Sequence, residues 1–143
     1  MIVFKNGDVE TYEDGQLKSV ENKNEDGERD GLQTKWDNNG QKRSEGIYKD
    51  GEEDGLWTIW WENGHKEIER TFKDGKSNGL GTQWYPNGQK MEEGNYKDGK
   101  RDGVWTDWYK DNGQKKEERT YKDGEQDGLN TLWYENGQKK EER

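Results

Sequence analysis

Glycine-containing dipeptides recur at an almost fixed interval along this chain of 143 residues. The glycines of five Asn-Gly pairs stand at positions 40, 64, 88, 113 and 137, so that successive glycines are 24, 24, 25 and 24 residues apart. Asp-Gly pairs follow the same interval, with glycines at positions 27, 51, 75, 99 and 124. Such a period is typical of repeat proteins, in which each unit packs only against its neighbours.

Each unit contains two runs of about eight residues separated by glycine-containing turns, which predicts consecutive β-hairpins. Four full units cover residues 31–127 and a half unit covers 128–143. We therefore predict an all-β protein, an elongated antiparallel β-meander of tandem 24-residue β-hairpin repeats in a single-layer or coiled sheet. We assign residues 1–30, which follow the period loosely, to a degenerate N-terminal cap repeat, and residues 31–143 to the repeat array.

The chain's one proline indicates the geometry of the turns. In Tyr85-Pro86-Asn87-Gly88-Gln89, a two-residue type I′ turn would place Pro86 in the strand ladder without an N–H group to donate. A three-residue loop, a type I turn followed by a left-handed glycine, places Pro86 where its fixed φ angle is favourable. We therefore predict three-residue loops, and we apply the same template to Tyr48-Lys49-Asp50-Gly51-Glu52.

Alternation along the strands assigns residues to two faces of the sheet. The repeated face carries nearly the same residues in every unit: Leu32, Thr34, Trp36; Leu56, Thr58, Trp60; Leu80, Thr82, Trp84; Val104, Thr106, Trp108; Leu129, Thr131, Trp133; and, from the return strands, Tyr48, Phe72, Tyr96 and Tyr121. The variable face changes from unit to unit: Gln33, Lys35, Asp37; Trp57, Ile59, Trp61; Gly81, Gln83, Tyr85; Trp105, Asp107, Tyr109; Asn130, Leu132, Tyr134; and, from the return strands, Glu45, Glu69, Glu93 and Glu118.

Composition excludes several classes of protein. The chain has no cysteine, so it contains neither a disulfide nor a thiolate metal site. Its net charge of −9 argues against sequence-independent binding to nucleic acid or to an anionic membrane. No apolar run is long enough to span a membrane, and the first residues do not resemble a secretory signal, so we expect a cytoplasmic protein.

Nothing in the sequence indicates catalysis. Carboxylates recur with the repeat instead of converging on one pocket, and acid–base chemistry requires a convergent pair. The repeated Asp-Gly turns could bind Ca²⁺, but turn chemistry already accounts for both residues. We therefore predict a chain that is not an enzyme and has no catalytic residue, metal or cofactor.

The repeat resembles a known family. Gly-Leu-Trp-Thr-Ile-Trp-Trp-Glu-Asn-Gly at 55–64 and Glu-Gly-Asn-Tyr-Lys-Asp-Gly at 93–99 are similar to the MORN-repeat variant of bacterial proteins, often grouped as the YwqK-type antitoxin family. The resemblance covers about residues 31–143. It implies a meander of antiparallel hairpins, a role in protein contact and, as one form of that role, neutralisation of a toxin.

Aromatic residues on the variable face have two interpretations, cross-strand packing and partner binding. Our hypothesis is a non-enzymatic, monomeric scaffold that binds another, basic protein through this aromatic and acidic face. The alternative is a carbohydrate-binding module, in which rows of aromatic rings stack on sugars. The candidate partner-binding residues are Trp57, Ile59, Trp61, Tyr85, Trp105, Tyr109 and Tyr134.

Overall fold

The fold, a computed structural model that describes residues 1–5 and 8–143, consists of β-strands joined by short turns. The strands are β1 Ile2–Lys5, β2 Asp8–Glu13, β3 Gln16–Lys23, β4 Arg29–Trp36, β5 Lys42–Lys49, β6 Glu52–Trp60, β7 Lys66–Lys73, β8 Lys76–Trp84, β9 Lys90–Lys97, β10 Lys100–Trp108, β11 Lys115–Lys122, β12 Glu125–Trp133 and β13 Lys139–Glu142. The described residues include no helix, and hence none that is long and apolar enough to cross a membrane.

All 13 strands form one open antiparallel sheet in which each strand pairs with the next one along the chain. At about 4.8 Å between strands, the sheet extends for roughly 58 Å from β1 to β13. The predicted all-β meander of tandem hairpins is confirmed, as a single open sheet.

Three-residue loops connect the strands at the Asn-Gly pairs, as predicted. Around Pro86, the N–H of Tyr85 donates to the carbonyl of Gln89 at 2.8 Å, and the N–H of Gly88 donates to the carbonyl of Tyr85 at 2.9 Å. Gly88 is left-handed, with φ at 87°. The extra residue of the fourth unit lies in the loop 110–113, where the N–H of Tyr109 bonds to the carbonyl of Gln114.

The Asp-Gly pairs at Gly51, Gly75, Gly99 and Gly124 form a different turn, and the three-residue template was wrong for Tyr48-Lys49-Asp50-Gly51-Glu52. Lys49 pairs with Glu52, which leaves only two residues in the loop. Asp50 and Gly51 both have positive φ angles, 47° and 82°, so this is a type I′ turn. The short side chain of aspartate tolerates the left-handed region, and glycine populates it freely.

A β-bulge after each Asn-Gly loop reverses the predicted facing of the return strands. Trp36 pairs with Lys42 but Lys35 pairs with Ser44, so Arg43 is an extra residue. The same shift recurs in every later unit, with Glu67, Met91, Lys116 and Lys140 as the extra residues. Because a shift of one residue moves a whole strand's side chains to the opposite face, Tyr48, Phe72, Tyr96 and Tyr121 lie on the variable face. For the same reason Glu45, Glu69, Glu93 and Glu118 lie on the repeated face; both placements made from the sequence were wrong.

Those four glutamates complete a ladder on the repeated face. Thr34 lies opposite Glu45 and donates its hydroxyl to that carboxylate at 3.1 Å. Lys42 reaches the same carboxylate at 2.7 Å. The lysines that follow the later loops also extend over the indoles of the next unit, with 5.6 Å from the Lys66 ammonium to the ring of Trp84. The glutamates are therefore neutralised within the sheet.

Residues 1–30 join the same sheet but differ in their turns. The β2–β3 turn, Asp14-Gly15, is of the two-residue type, and the β3–β4 turn at Gly27 has three residues. Two three-residue turns therefore follow one another, at Gly27 and Gly40, where the repeat array alternates the two types. The assignment of 1–30 as a cap stays a prediction, and its residues 6 and 7 lie outside the described residues.

Candidate functional site

Two indoles lie flat across glycines of the preceding strand on the variable face. Trp57 lies opposite Gly46 and Trp105 opposite Gly94. A Cβ atom at Gly46 would stand 2.0 Å from the Trp57 ring, and one at Gly94 would stand 2.3 Å from the Trp105 ring. Each indole N–H donates to a backbone carbonyl of that preceding strand at 3.1 Å. Trp105 is only 2% exposed, so it is a packing residue of the sheet.

The third unit and the final half unit carry the reciprocal arrangement. Arg70 lies opposite Gly81, and Arg119 lies opposite Asn130. From the second unit onward, a large residue therefore meets a smaller one at this position, and the order alternates from unit to unit. Much of the variation along this face consequently follows from packing, which is the cross-strand interpretation of its aromatic residues.

A second aromatic column links neighbouring units through hydrogen bonds. The indole N–H of Trp61 donates to the carbonyl of Trp84 at 3.1 Å. The hydroxyl of Tyr85 donates to the carbonyl of Trp108 at 3.0 Å, and that of Tyr109 to the carbonyl of Trp133 at 2.8 Å. These side chains are half-buried and stabilise the contact between units.

The seven candidate residues therefore differ in accessibility. Tyr134 is 49% exposed. Trp57, Ile59, Trp61, Tyr85 and Tyr109 are half-buried, and Trp105 is buried. Their role in partner binding stays a prediction, except that Trp105 has almost no surface to offer.

Acidic and basic side chains form a compact cluster on the variable face. The Arg119 guanidinium pairs closely with the Asp107 carboxylate and lies 3.7 Å from Glu92, which Arg101 holds at 2.8 Å. Burial raises the pKa of Asp107 to about 6; Arg119 opposes this shift, while the charge of Glu92 adds to it. Within the described residues, no group of three or more His, Cys, Asp or Glu side chains could hold a metal ion.

Acidification is expected to stabilise the fold through Asp107. In the unfolded chain this carboxyl titrates near its ordinary value of 3.8, whereas in the folded chain its pKa is about 6. The folded state therefore binds the proton more tightly, and this contribution to stability is gained as the pH falls through 6. Between pH 7.5 and pH 5, the free energy of unfolding of the wild type should rise by about 1 kcal/mol relative to Asp107→Asn. Urea unfolding at the two pH values measures this difference.

The control for that measurement is Asp127→Asn, which changes an exposed aspartate. It should follow the pH dependence of the wild type. If Asp107→Asn does so too, the raised pKa does not exist in solution.

Aliphatic side chains form an exposed row on the repeated face. Leu32 of β4 lies opposite Ile47 of β5. The other side chains of the row occupy the position equivalent to Leu32 in the later units. We name this set the leucine row: Leu32, Ile47, Leu56, Leu80, Val104 and Leu129, with exposures of 47%, 42%, 51%, 53%, 51% and 60%. The Gly-Leu repeats of the sequence predict where the members of the row lie, but they do not show that these side chains are exposed. Exposed apolar side chains that recur on one face in this way indicate an interaction site.

Comparison with known proteins identifies the repeat. No curated protein matches the chain. Among solved structures, the crystal structure of TarM is similar to 85% of this chain, with 11% sequence identity and a TM-score of 0.42. The chain spans only 21% of that structure, and similarity at this level carries no argument about function. The MORN repeat variant matches five segments, 29–50, 53–74, 77–98, 101–123 and 126–143. Because these segments cover most of the sequence, the chain belongs to the MORN repeat variant family.

Proposed function

We propose that this chain is a non-enzymatic scaffold that binds a basic amphipathic helix of another protein along the leucine row. The MORN repeat is a non-catalytic repeat type, and such repeats are commonly modules of protein or membrane interaction. The observation that carries the proposal is the exposed apolar row at the spacing of the repeat.

The spacing of the row supports a helical partner. Leucines of successive units stand two strands apart, or about 9.6 Å. Residues seven apart on one face of an α-helix are separated by about 10.5 Å along its axis. A helix that lies across the strands can therefore place one apolar residue near each unit of the row.

Charge beside the row supports a basic partner. An aspartate stands two positions before four members of the row, at Asp30, Asp54, Asp102 and Asp127. Asp102 pairs with Asn95, which lies opposite Leu80, so Asp102 is on the same face as the row. Within the described part of the chain, none of these four carboxylates pairs with a lysine or arginine. Together with the net charge of −9, they favour a basic partner and speed its encounter.

Two further functions were considered for this chain, neutralisation of a toxin and binding of carbohydrate. Neutralisation of a toxin would be one form of the proposed binding, but no homologue supports the antitoxin label. Carbohydrate binding requires accessible ring faces, and Trp105 offers almost none. A cytoplasmic, monomeric state belongs to the same proposal.

A designed peptide tests the proposed surface. The probe is a lysine-rich helix with leucines seven residues apart, and the comparison peptide has the same composition with its leucines scattered around the helix. We expect the wild type to bind the periodic peptide at least about tenfold more tightly, in fluorescence anisotropy, which corresponds to 1.4 kcal/mol. Leu56→Ser, Leu80→Ser, Val104→Ser in one chain should abolish this preference while the fold is retained, because these side chains are about half exposed.

The matched control changes the variable face at Ile59→Ser and Tyr134→Ser. It should bind the periodic peptide like the wild type. If only this control loses binding, the peptide binds to the variable face and not to the leucine row. Equal affinity of the wild type for both peptides would contradict the proposed helix.

A further inference from the structure

A small cavity opens on the variable face between β3 and β6. Its volume is about 130 Å³, and its lining includes Glu21, Arg29, Gln33, Ser44, Tyr48 and Trp57. A closed cavity of roughly 150 Å³ in another protein holds a whole benzene ring. This one is slightly smaller but open to solvent, so a larger planar ring can enter it by one edge. The cavity lies on the opposite side of the sheet from the leucine row and does not depend on the function proposed above.

The cavity occurs where the first unit departs from the packing of the second and fourth. Gln33 occupies the position that Trp57 and Trp105 occupy in their units. It lies opposite Glu21, whereas the two tryptophans lie opposite glycines. The indole that covers the preceding strand in those units is therefore missing here, and the shorter Gln33 side chain leaves part of that space open.

Side chains that surround an indole in the fourth unit are already in position around the cavity. The Arg101 guanidinium lies 4.0 Å from the centroid of the Trp105 ring, and the Tyr121 ring lies edge-on to Trp105 at 6.4 Å. Arg101 and Tyr121 are themselves 5.4 Å apart, from guanidinium carbon to ring centroid. The equivalent pair beside the cavity, Arg29 and Tyr48, is 5.3 Å apart.

Gln33, which lines the cavity, carries an acceptor without a partner in the part of the chain that the structure describes. Gln33 is 6% exposed, and its amide nitrogen donates to the carbonyl of Asn22 at 2.9 Å. Its Oε1 atom is buried and has no hydrogen-bond partner among the described residues. A buried acceptor without a partner costs about 1–3 kcal/mol, which a ligand that brings a donor would recover. The site therefore suits a planar ring that carries an N–H group.

We propose that this cavity binds an indole ring, whose N–H donates to Oε1 of Gln33 and whose ring packs against both Arg29 and Tyr48, as Trp105 packs against Arg101 and Tyr121. The ring has two possible sources, a free indole compound and a tryptophan side chain of another polypeptide. Both present the same bicyclic ring and the same donor.

Fluorine NMR with 5-fluoroindole tests the site without interference from the eight tryptophans of the chain. We expect saturable broadening or shift of the fluorine signal, reversed by unlabelled indole. Indene, which has the same shape but no N–H, should compete at least about tenfold less well, because it leaves Oε1 of Gln33 unpaired. Absence of saturable binding at millimolar ligand, or equal competition by indene, would overturn the proposal.

Two variants locate the binding. Glu21→Gly with Gln33→Trp recreates the Gly94 and Trp105 pair within the first unit, and it should eliminate binding while circular dichroism shows an intact sheet. Gln33→Leu removes the acceptor but leaves the cavity, and it should weaken 5-fluoroindole binding at least about tenfold. If either folded variant binds like the wild type, the proposed site is wrong. If the double variant does not fold, Gln33→Leu decides alone.

The source of the ring is resolved by a second pair of ligands. N-acetyl-tryptophanamide carries the backbone groups that flank a tryptophan in a polypeptide, and indole does not. Displacement of 5-fluoroindole by both supports a protruding tryptophan side chain as ligand. Displacement by indole alone supports a free indole compound.

Discussion

Replacing Gly94 with arginine is expected to destabilise the fold by about 3 kcal/mol, because any side chain there collides with an immobile ring. A Cβ atom at residue 94 would already stand 2.3 Å from the indole of Trp105. Trp105→Gly alone should cost about 3–5 kcal/mol by emptying the same space. The double variant should recover most of either loss, since arginine would then lie opposite glycine, as Arg70 lies opposite Gly81.

Urea unfolding of the wild type, both single variants and the double variant measures this coupling as a double-mutant cycle. The same exchange in the second unit, Gly46→Arg with Trp57→Gly, is the matched control and should show coupling of the same sign, because a Cβ at residue 46 would stand 2.0 Å from the indole of Trp57. Losses that simply add at both positions would mean that the alternation of large and small residues does not determine the packing of this face.

The sequence predicted the strands and loops because both depend on local chemistry. Pro86 determines the loop type through its fixed φ angle and missing N–H, and hydrogen bonds at Tyr85 confirm it. The turn at Asp50-Gly51 was predicted wrongly because the template for the Asn-Gly loops was extended to it. Asp50 has a φ of 47°, and a positive φ at this position is typical of a two-residue type I′ hairpin turn.

The facing of the return strands could not be predicted, because the bulge that determines it has no recognisable residue. The extra residue is Arg43 in one unit and Glu67, Met91 or Lys116 in others, so neither glycine nor any shared side chain marks it. Alternation alone therefore assigned the side chains of every return strand to the wrong face of the sheet.

The packing of the candidate site could not be predicted either, because it depends on which residues of neighbouring strands lie opposite each other. Gly46 and Gly94 alternate along the chain with Arg70 and Arg119, in step with the alternation of large and small residues across the strands. That pattern was present in the sequence, but it has meaning only once the pairing is known. Variation between units consequently suggested binding specificity where much of it reflects packing.

The alternation also predicts that the position of a 24-residue deletion matters more than its length. Deleting residues 58–81 leaves Gly46 opposite Trp57 and Gly94 opposite Trp105, so each large residue still meets a small one. Deleting residues 71–94 removes the same number of strands but brings Arg70 opposite Trp105. The second chain is expected to be about 3 kcal/mol less stable than the first, because its indole has no glycine to lie on.

Urea unfolding compares the two deletions directly, since both remove one unit and preserve the hairpin phase. Arg70→Gly within the 71–94 deletion restores glycine opposite Trp105 and should return its stability to that of the 58–81 deletion. Equal stability of the two deletions, without this rescue, would show that units exchange freely. Recovery by the single glycine would instead establish that the residue pair created at the junction, and not the number of units removed, determines whether the array tolerates the loss of a unit.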